Sequence, residues 1–233
     1  MANILITGGT GRLGRILAKL LPDALTPTHA ELDITDRKAC EAYALSLPQS
    51  VTVIHCAGFV DSAAAEVERE ACWNANVEGT RNMARAFSPS RFVYLSSPYV
   101  FDGAKGNYSE TDIPNPVNFY GLTKLCSEQA VQEYPNTLIL RAGIRADPPW
   151  RFPNAFIDQW TSDDFMSVRA PEIIRAALSD CCGILHIGGH RRSVYELART
   201  VSEVGQMTRA QFPGVKIPRD TSLNSGKWAS IKA

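Results

Sequence analysis

No apolar run in the sequence approaches the roughly 20 residues needed to cross a bilayer, and neither sign of charge is in excess. The 24 Lys plus Arg are matched by 24 Asp plus Glu over 233 residues. The first absence argues against a membrane-spanning segment. The second removes the broad basic field that holds nucleic acid or anionic lipid, so neither nucleic acid nor membrane is an expected partner. Cysteine is sparse and unpatterned: Cys40, Cys56, Cys72, Cys126, Cys181 and Cys182 form no CxxC pair. That excludes a disulfide framework, and no metal site is expected. No charged and then apolar leader follows Met1, so reduced thiols in a cytoplasmic protein are the expectation. Repeats and low-complexity tracts are also missing. What remains, 45% hydrophobic and 21% charged residues, is ordinary globular composition with enough apolar surface for one main core.

Short aliphatic or β-branched runs alternate with stretches of helical period. Strands are expected at 3–7, 24–26, 51–56, 91–96, 137–141 and 184–187, and helices at 11–21, 37–47, 65–87 and 120–134. This order predicts an α/β fold, a Rossmann-like doubly wound parallel sheet. The segments 103–116 and 146–153 are rich in Gly, Asn, Asp and Pro and read as loops. Beyond them, helices are expected at 171–178 and 194–204, followed by a polar tail. Residues 1–145 read as a dinucleotide-binding domain to which a strand near 184–188 returns, and residues 146–233 as a small, abbreviated substrate-binding cap.

The first strand runs into Gly8-Gly9-Thr10-Gly11-Arg12-Leu13-Gly14. In a strand–turn–helix context Gly8 permits the tight turn, Gly11 lets backbone approach a pyrophosphate, and Gly14 lets helix and strand pack closely. The helix start adds unpaired N–H groups and positive dipole. No carboxylate marks the tip of the second expected strand, Thr26-Pro27-Thr28-His29, where an NAD site places one. Arg12, Arg15 and His29 could instead face a 2′-phosphate, so NADP(H) is expected over NAD(H).

Tyr120 and Lys124 stand four residues apart at the start of an expected helix, hence on one face. The strand ending Leu95-Ser96-Ser97 brings a hydroxyl to the carboxyl edge, where α/β sheets bind ligands. A neighbouring ammonium favours the phenolate, so Lys124 is expected to lower the pKa of Tyr120 toward a useful acid/base range. Tyr120 would then exchange a proton with a carbonyl oxygen that Ser97 holds.

The GxxGxxG turn, Glu31-Leu32-Asp33-Ile34 and His55-Cys56-Ala57-Gly58 together resemble the short-chain dehydrogenase/reductase superfamily. The resemblance implies that Asp33, with Ile34 beside it, accepts from the adenine amino group. It also implies that the backbone of Cys56, Ala57 and Gly58 lies against the cofactor, and that Lys124 holds the nicotinamide ribose. His55 stays open between a buried, satisfied ring and a cofactor contact. Asn76, in Asn76-Val77-Glu78-Gly79-Thr80, occupies the position of the family's fourth catalytic residue, beside Ser97, Tyr120 and Lys124.

Within the extended superfamily, Ser96-Ser97-Pro98-Tyr99-Val100-Phe101-Asp102-Gly103, Glu110-Thr111-Asp112-Ile113-Pro114-Asn115-Pro116 and Tyr120-Gly121-Leu122-Thr123-Lys124 resemble the dTDP-4-dehydrorhamnose reductase branch. That implies reduction of a keto group, with a 4-keto-6-deoxy nucleotide-sugar as substrate, and a homodimer. The alternatives are an NADP-binding regulatory subunit without turnover, similar to the β subunit of methionine adenosyltransferase, and a nucleotide-sugar epimerase. Two departures bear on the substrate. Pro98 replaces an Asp, removing an acceptor and a backbone donor, and the stretch 141–171 is shorter than the branch leads one to expect. Tyr99, Trp150, Arg151 and Arg219 are the candidate substrate contacts, through stacking and guanidinium–phosphate pairing.

Overall fold

The computed structural model describes residues 3–48 and 50–231. Strand and helix alternate as β1 (Asn3–Thr7), α1 (Arg12–Leu20), α2 (Arg37–Leu45), β2 (Val51–His55), α3 (Ala64–Val67), α4 (Arg69–Trp73), α5 (Gly79–Ala86), β3 (Arg91–Ser96), α6 (Phe119–Gln132) and β4 (Thr137–Ala142). There follow β5 (Ile144–Arg145), β6 (Asn154–Phe156), β7 (Trp160–Thr161), β8 (Asp164–Phe165), α7 (Met166–Ala177), β9 (Gly183–Ile187), β10 (Arg192–Ser193), α8 (Val194–Arg199), β11 (Gly205–Met207) and α9 (Gly226–Ile231).

The main sheet is parallel throughout, in the order β1-β2-β3-β4-β9. Alternate residues of a strand point to opposite faces, and both faces here are apolar. Ile6, Ile54, Leu138 and Leu140 turn to one side, where Leu17 of α1 and Ile173 of α7 meet them. Leu5, Val53, Phe92 and Ile139 turn to the other, against Met83 of α5 and Val131 of α6. Helices on both faces make the sheet doubly wound, and each fully buried aliphatic side chain contributes about 1.5–3 kcal/mol.

Several expected elements change under tertiary constraint. Residues 24–26 form no strand. Leu25 makes a single bridge beside β1, with Ile6 N donating to Leu25 O (2.8 Å) and Leu25 N to Ile4 O (2.8 Å), and Pro27, lacking an N–H, ends the pairing. The helix expected over 65–87 is divided. Glu68 leaves helical geometry at φ −94°, ψ 49°, and a π turn, Asn74–Glu78, separates α4 from α5. The helix expected over 171–178 starts earlier, at Met166, and carries Pro171 inside it. The one expected over 194–204 stops at Arg199. The polar tail is tied down: Asp220 N donates to Gly103 O (3.1 Å), Tyr108 N to Ser222 O (2.9 Å) and Asn224 N to Tyr108 O (2.7 Å). Trp228 of α9 is buried with the first apolar cluster.

A buried ion pair joins α6 to β4. Arg141 donates through Nε to Glu128 Oε1 (2.9 Å) and through Nη2 to Oε2 (2.7 Å), while Ser96 Oγ of β3 donates to Oε1. Both charged side chains are nearly inaccessible, at 2% and 1%. Removing one partner strands the other without counter-charge. Glu128→Ala is expected to destabilise the protein by about 3–5 kcal/mol, read as a lower urea midpoint at unchanged slope.

Candidate active site

The carboxyl ends of β1 and β2 open onto a cleft of about 260 Å³ whose lining includes Gly8, His29, Asp33, Ile34, Ala57 and Gly58. Gly8 sits at φ +68°, and a Cβ there would meet Ala57 Cα and N at 2.9 Å. At Gly14 a Cβ would lie 2.1 Å from Gly8 O, so α1 can approach β1 only with glycine here. Gly11 is the N-cap of α1 and offers no side-chain cap; its own N–H goes to Gly8 O (2.9 Å). The first-turn amides of Arg12, Leu13 and Gly14 are thus suited to a phosphate. Gly9, not singled out from sequence, packs against Thr26, where a Cβ would come within 2.6 Å.

Asp33 accepts from Thr35 N (2.9 Å) and Oγ1 (2.7 Å) through one oxygen, and His29 lies 3.9 Å from the other. Burial works against ionisation, but the Thr35 hydrogen bonds and His29 outweigh it, and the pKa of Asp33 is lowered. Of the three cations expected near a 2′-phosphate, His29 lines the cleft, while Arg12 and Arg15 are exposed on α1 outside its lining. His55 takes the buried alternative. Its ring bridges Thr7 Oγ1 (2.8 Å) and Thr80 Oγ1 (3.1 Å), and burial pushes its pKa down to about 3. Burial also pushes the Cys56 thiol up to about 12.

The second part of the site lies at the end of β3. Ser97 caps a 3₁₀ turn, Pro98–Val100, its Oγ accepting from Tyr99 N at 3.2 Å. Proline is well suited to the first position of such a turn, where its missing N–H would have no partner anyway. Asn118 caps α6 by accepting from Gly121 N (2.8 Å). Tyr120 and Lys124 follow on the same face.

The electrostatics differ from the sequence expectation. Desolvation pushes the Tyr120 phenol up to about 12, with the Ser97 hydroxyl pulling the other way. Lys124 does not offset this, because its Nζ donates to Leu95 O (2.7 Å) and lies over the Tyr94 ring. Burial brings the Lys124 ammonium down to about 8, against the pull of Glu128. The pair is therefore a neutral phenol beside a weakened ammonium.

Asn76 sits in the π turn, and its carboxamide is fully engaged. Oδ1 accepts from Phe59 N (2.7 Å), while Nδ2 donates to Phe59 O (3.1 Å) and Thr123 Oγ1 (2.9 Å). These bonds fasten the Gly58–Phe59 turn to α6, which makes Asn76 a positioning group for both halves of the site. Continuous helix would not have aimed it there, and π turns recur at functional sites for this reason.

The candidate substrate contacts separate. Tyr99 lies at the centre, its ring edge-on to that of Tyr120 with centroids 6.1 Å apart. Trp150 packs with Tyr195 and Val194 in the cap's own apolar cluster, and the side chains of Arg151 and Arg219 are exposed. Two residues not foreseen meet Tyr99, and a third, Asp163, holds one of them. Gln159 Nε2 donates to Tyr99 OH (3.1 Å), and Arg145 interacts with the same phenol while its Nε donates to Asp163 Oδ2 (2.7 Å). Arg145 follows the carboxyl end of β4, a position that the sheet-edge rule would have singled out. Gln159 and Asp163 come from a stretch without periodicity and carry no such signal.

Comparison with known proteins places this geometry. Residues 1–146 match the family model described as RmlD substrate binding domain. Over 150 residues the chain is 38% identical to dTDP-4-dehydrorhamnose reductase of Aggregatibacter actinomycetemcomitans, covering 60% of this chain and 51% of that one. Over 153 residues it is 33% identical to methionine adenosyltransferase 2 subunit beta of Danio rerio, covering 60% and 47%. The chain thus spans about half the length of these curated relatives. A dTDP-4-dehydrorhamnose reductase from Bacillus anthracis, solved in complex with NADP, superposes with a TM-score of 0.89 at 24% identity, covering 99% of this chain and 92% of that one.

One position ties the helix start to the hydroxyl turn. A Cβ on Gly121 would fall 2.2 Å from Tyr99 O and 3.1 Å from Pro116 Cβ. Gly121→Ala is expected to push the start of α6, and Tyr120 with it, away from Ser97. A shift of about 1 Å costs on the order of 100-fold in rate. Unchanged far-UV circular dichroism alongside that loss, in a steady-state assay, is the expected outcome.

Proposed function

The chain belongs to the RmlD substrate binding domain family, and we propose that it is an NADP(H)-dependent reductase of a keto group on a nucleotide-sugar. The observation that carries this reading is the meeting of Ser97, Tyr120 and Lys124 at the carboxyl edge of β3, beside a glycine-lined cleft. Residues 1–145, with β9, bind the dinucleotide, and residues from 146 onward contribute substrate contacts. Gly8 and Gly14 leave the backbone approach that a pyrophosphate requires, and Asp33, Ile34, Ala57 and Gly58 would hold the adenosine. His29, which lines the cleft, would meet a 2′-phosphate there, which favours NADP(H) over NAD(H). When bound, the dinucleotide supplies the hydride.

The protein handles the proton. A phenol pushed up to about 12 stays protonated at neutral pH, so Tyr120 donates to the carbonyl oxygen as it becomes an alkoxide. Ser97 donates a hydrogen bond to the same oxygen. Lys124 would hold the ribose hydroxyls of the dinucleotide, and solvent reprotonates the tyrosinate left after transfer. Tyr99, steadied by Gln159 and Arg145, orients the sugar ring.

Stopped-flow NADPH oxidation with a panel of 4-keto nucleotide-sugars and small ketones tests this reading. Wild type is expected to turn over at least one, and Tyr120→Phe to lose on the order of 100-fold or more. Turnover that survives Tyr120→Phe would sink the mechanism. The pH dependence of kcat/KM for reduction is expected to be flat at neutral pH. It should then fall above about pH 8 as Lys124 loses its charge, with no second limb from Tyr120 below pH 10. Tight NADPH binding without reduction of any ketone would favour the regulatory reading, which the likeness to the Danio rerio subunit supports. Fluorescence titration checks the cofactor: NADPH is expected to bind more tightly than NADH, and the reverse order would refute the role given to His29.

A further inference from the structure

Alternation along β3 turns Phe92, Tyr94 and Ser96 to the face that α6 covers. Tyr94 is 1% exposed, and its ring centroid lies 4.3 Å from Lys124 Nζ. The phenol oxygen is buried without a hydrogen-bond partner, although Ser127 and Thr80 stand near it. Ser127 Oγ donates its own proton to Asn76 O (2.8 Å), and Thr80 Oγ1 pairs with His55 (3.1 Å). It is the ring that meets Lys124.

The groups facing Lys124 leave a gap that the ring fills. On α6 itself, Glu128 is one turn away but bound bidentate by Arg141, and Tyr120 is a neutral phenol. From β2 and the turn after it come the neutral ring of His55 and the Cys56 thiol; from α4 comes the Cys72 thiol. Of these groups Glu128 alone carries a negative charge that pulls on the ammonium, and Arg141 shares it. A cation in a desolvated site gains from an aromatic face through the ring quadrupole. Leu95 O takes one of the three ammonium donors, and the Tyr94 face meets another.

We propose that Tyr94 is a positioning residue whose ring face carries the Lys124 ammonium, keeping it charged and seated at the carboxyl edge of β3. That this edge meets a cofactor rests on the reductase reading; the ring–ammonium contact does not. The titration of Lys124, followed by NMR in protein carrying carbon-13-labelled lysine and assigned with Lys124→Arg, tests the proposal without any turnover. Wild type and Tyr94→Phe are expected to titrate together near pH 8. Tyr94→Leu, and a ring-fluorinated phenylalanine at the same position, should titrate lower by about one unit, the scale of a desolvated cation–π contact. The fluorinated ring keeps the shape of the core and decides the matter if Tyr94→Leu fails to fold. A midpoint shared by all of these proteins would overturn the proposal. If the midpoint moves as expected while no protein reduces a ketone, the positioning role stands and the reductase reading falls.

Discussion

The buried pairing of Arg141 with Glu128 is the constraint from which the rest of the site is measured. It locks α6 to β4 through two parallel N–H···O bonds, and Ser96 adds β3 to the same carboxylate. Lys124 lies one helical turn before Glu128 and Tyr120 one turn before that, so the rotation of α6 about its axis sets where both side chains fall. An isolated pair of buried charges is a poor source of net stability. Its value here is geometric. His186, against Arg141 on the far side at 3.4 Å, is kept neutral by burial, which brings its pKa to about 4, so no second cation competes for Glu128.

With Glu128 claimed by Arg141, the ammonium of Lys124 is left in a dry environment with a carbonyl and an aromatic face. Its pKa falls as that of Tyr120 rises, and burial drives both. On the proposed reading this suits reduction: the phenol keeps its proton until a developing alkoxide takes it, and the ammonium beside it serves the dinucleotide ribose. The tail contributes from outside the sheet. By pairing 220–224 with Gly103 and Tyr108 it holds the loop between the hydroxyl turn and α6, so the last third of the chain acts on the same few ångströms as the first.

Local chemistry was readable in the sequence wherever the constraint itself is local. The GxxGxxG turn is legible because strand, turn and helix are consecutive, and Gly8 and Gly14 are confined by contacts within seven residues or by the next strand end. Tyr120 and Lys124 are legible because helical period alone sets them on one face. The helix expected over 65–87 failed because its periodicity says nothing of the π turn, which exists to bring Asn76 to Phe59 and Thr123. Trp150 and Arg219 were plausible by residue type, yet type does not say which surface a cap presents.

By itself the sequence determined the alternation of strands and helices, the glycine cradle, and the identity of the hydroxyl, phenol and ammonium, because each depends on spacing along the chain and on side-chain chemistry. Only the tertiary structure decided the protonation preference of Tyr120 and the counter-ion lost to Lys124. It also supplied the ring of Tyr94 beneath the ammonium and the company of Arg145 and Gln159 around Tyr99. Those depend on desolvation and on contacts between residues 13 to 60 positions apart, and neither exists until the sheet has closed and water has left.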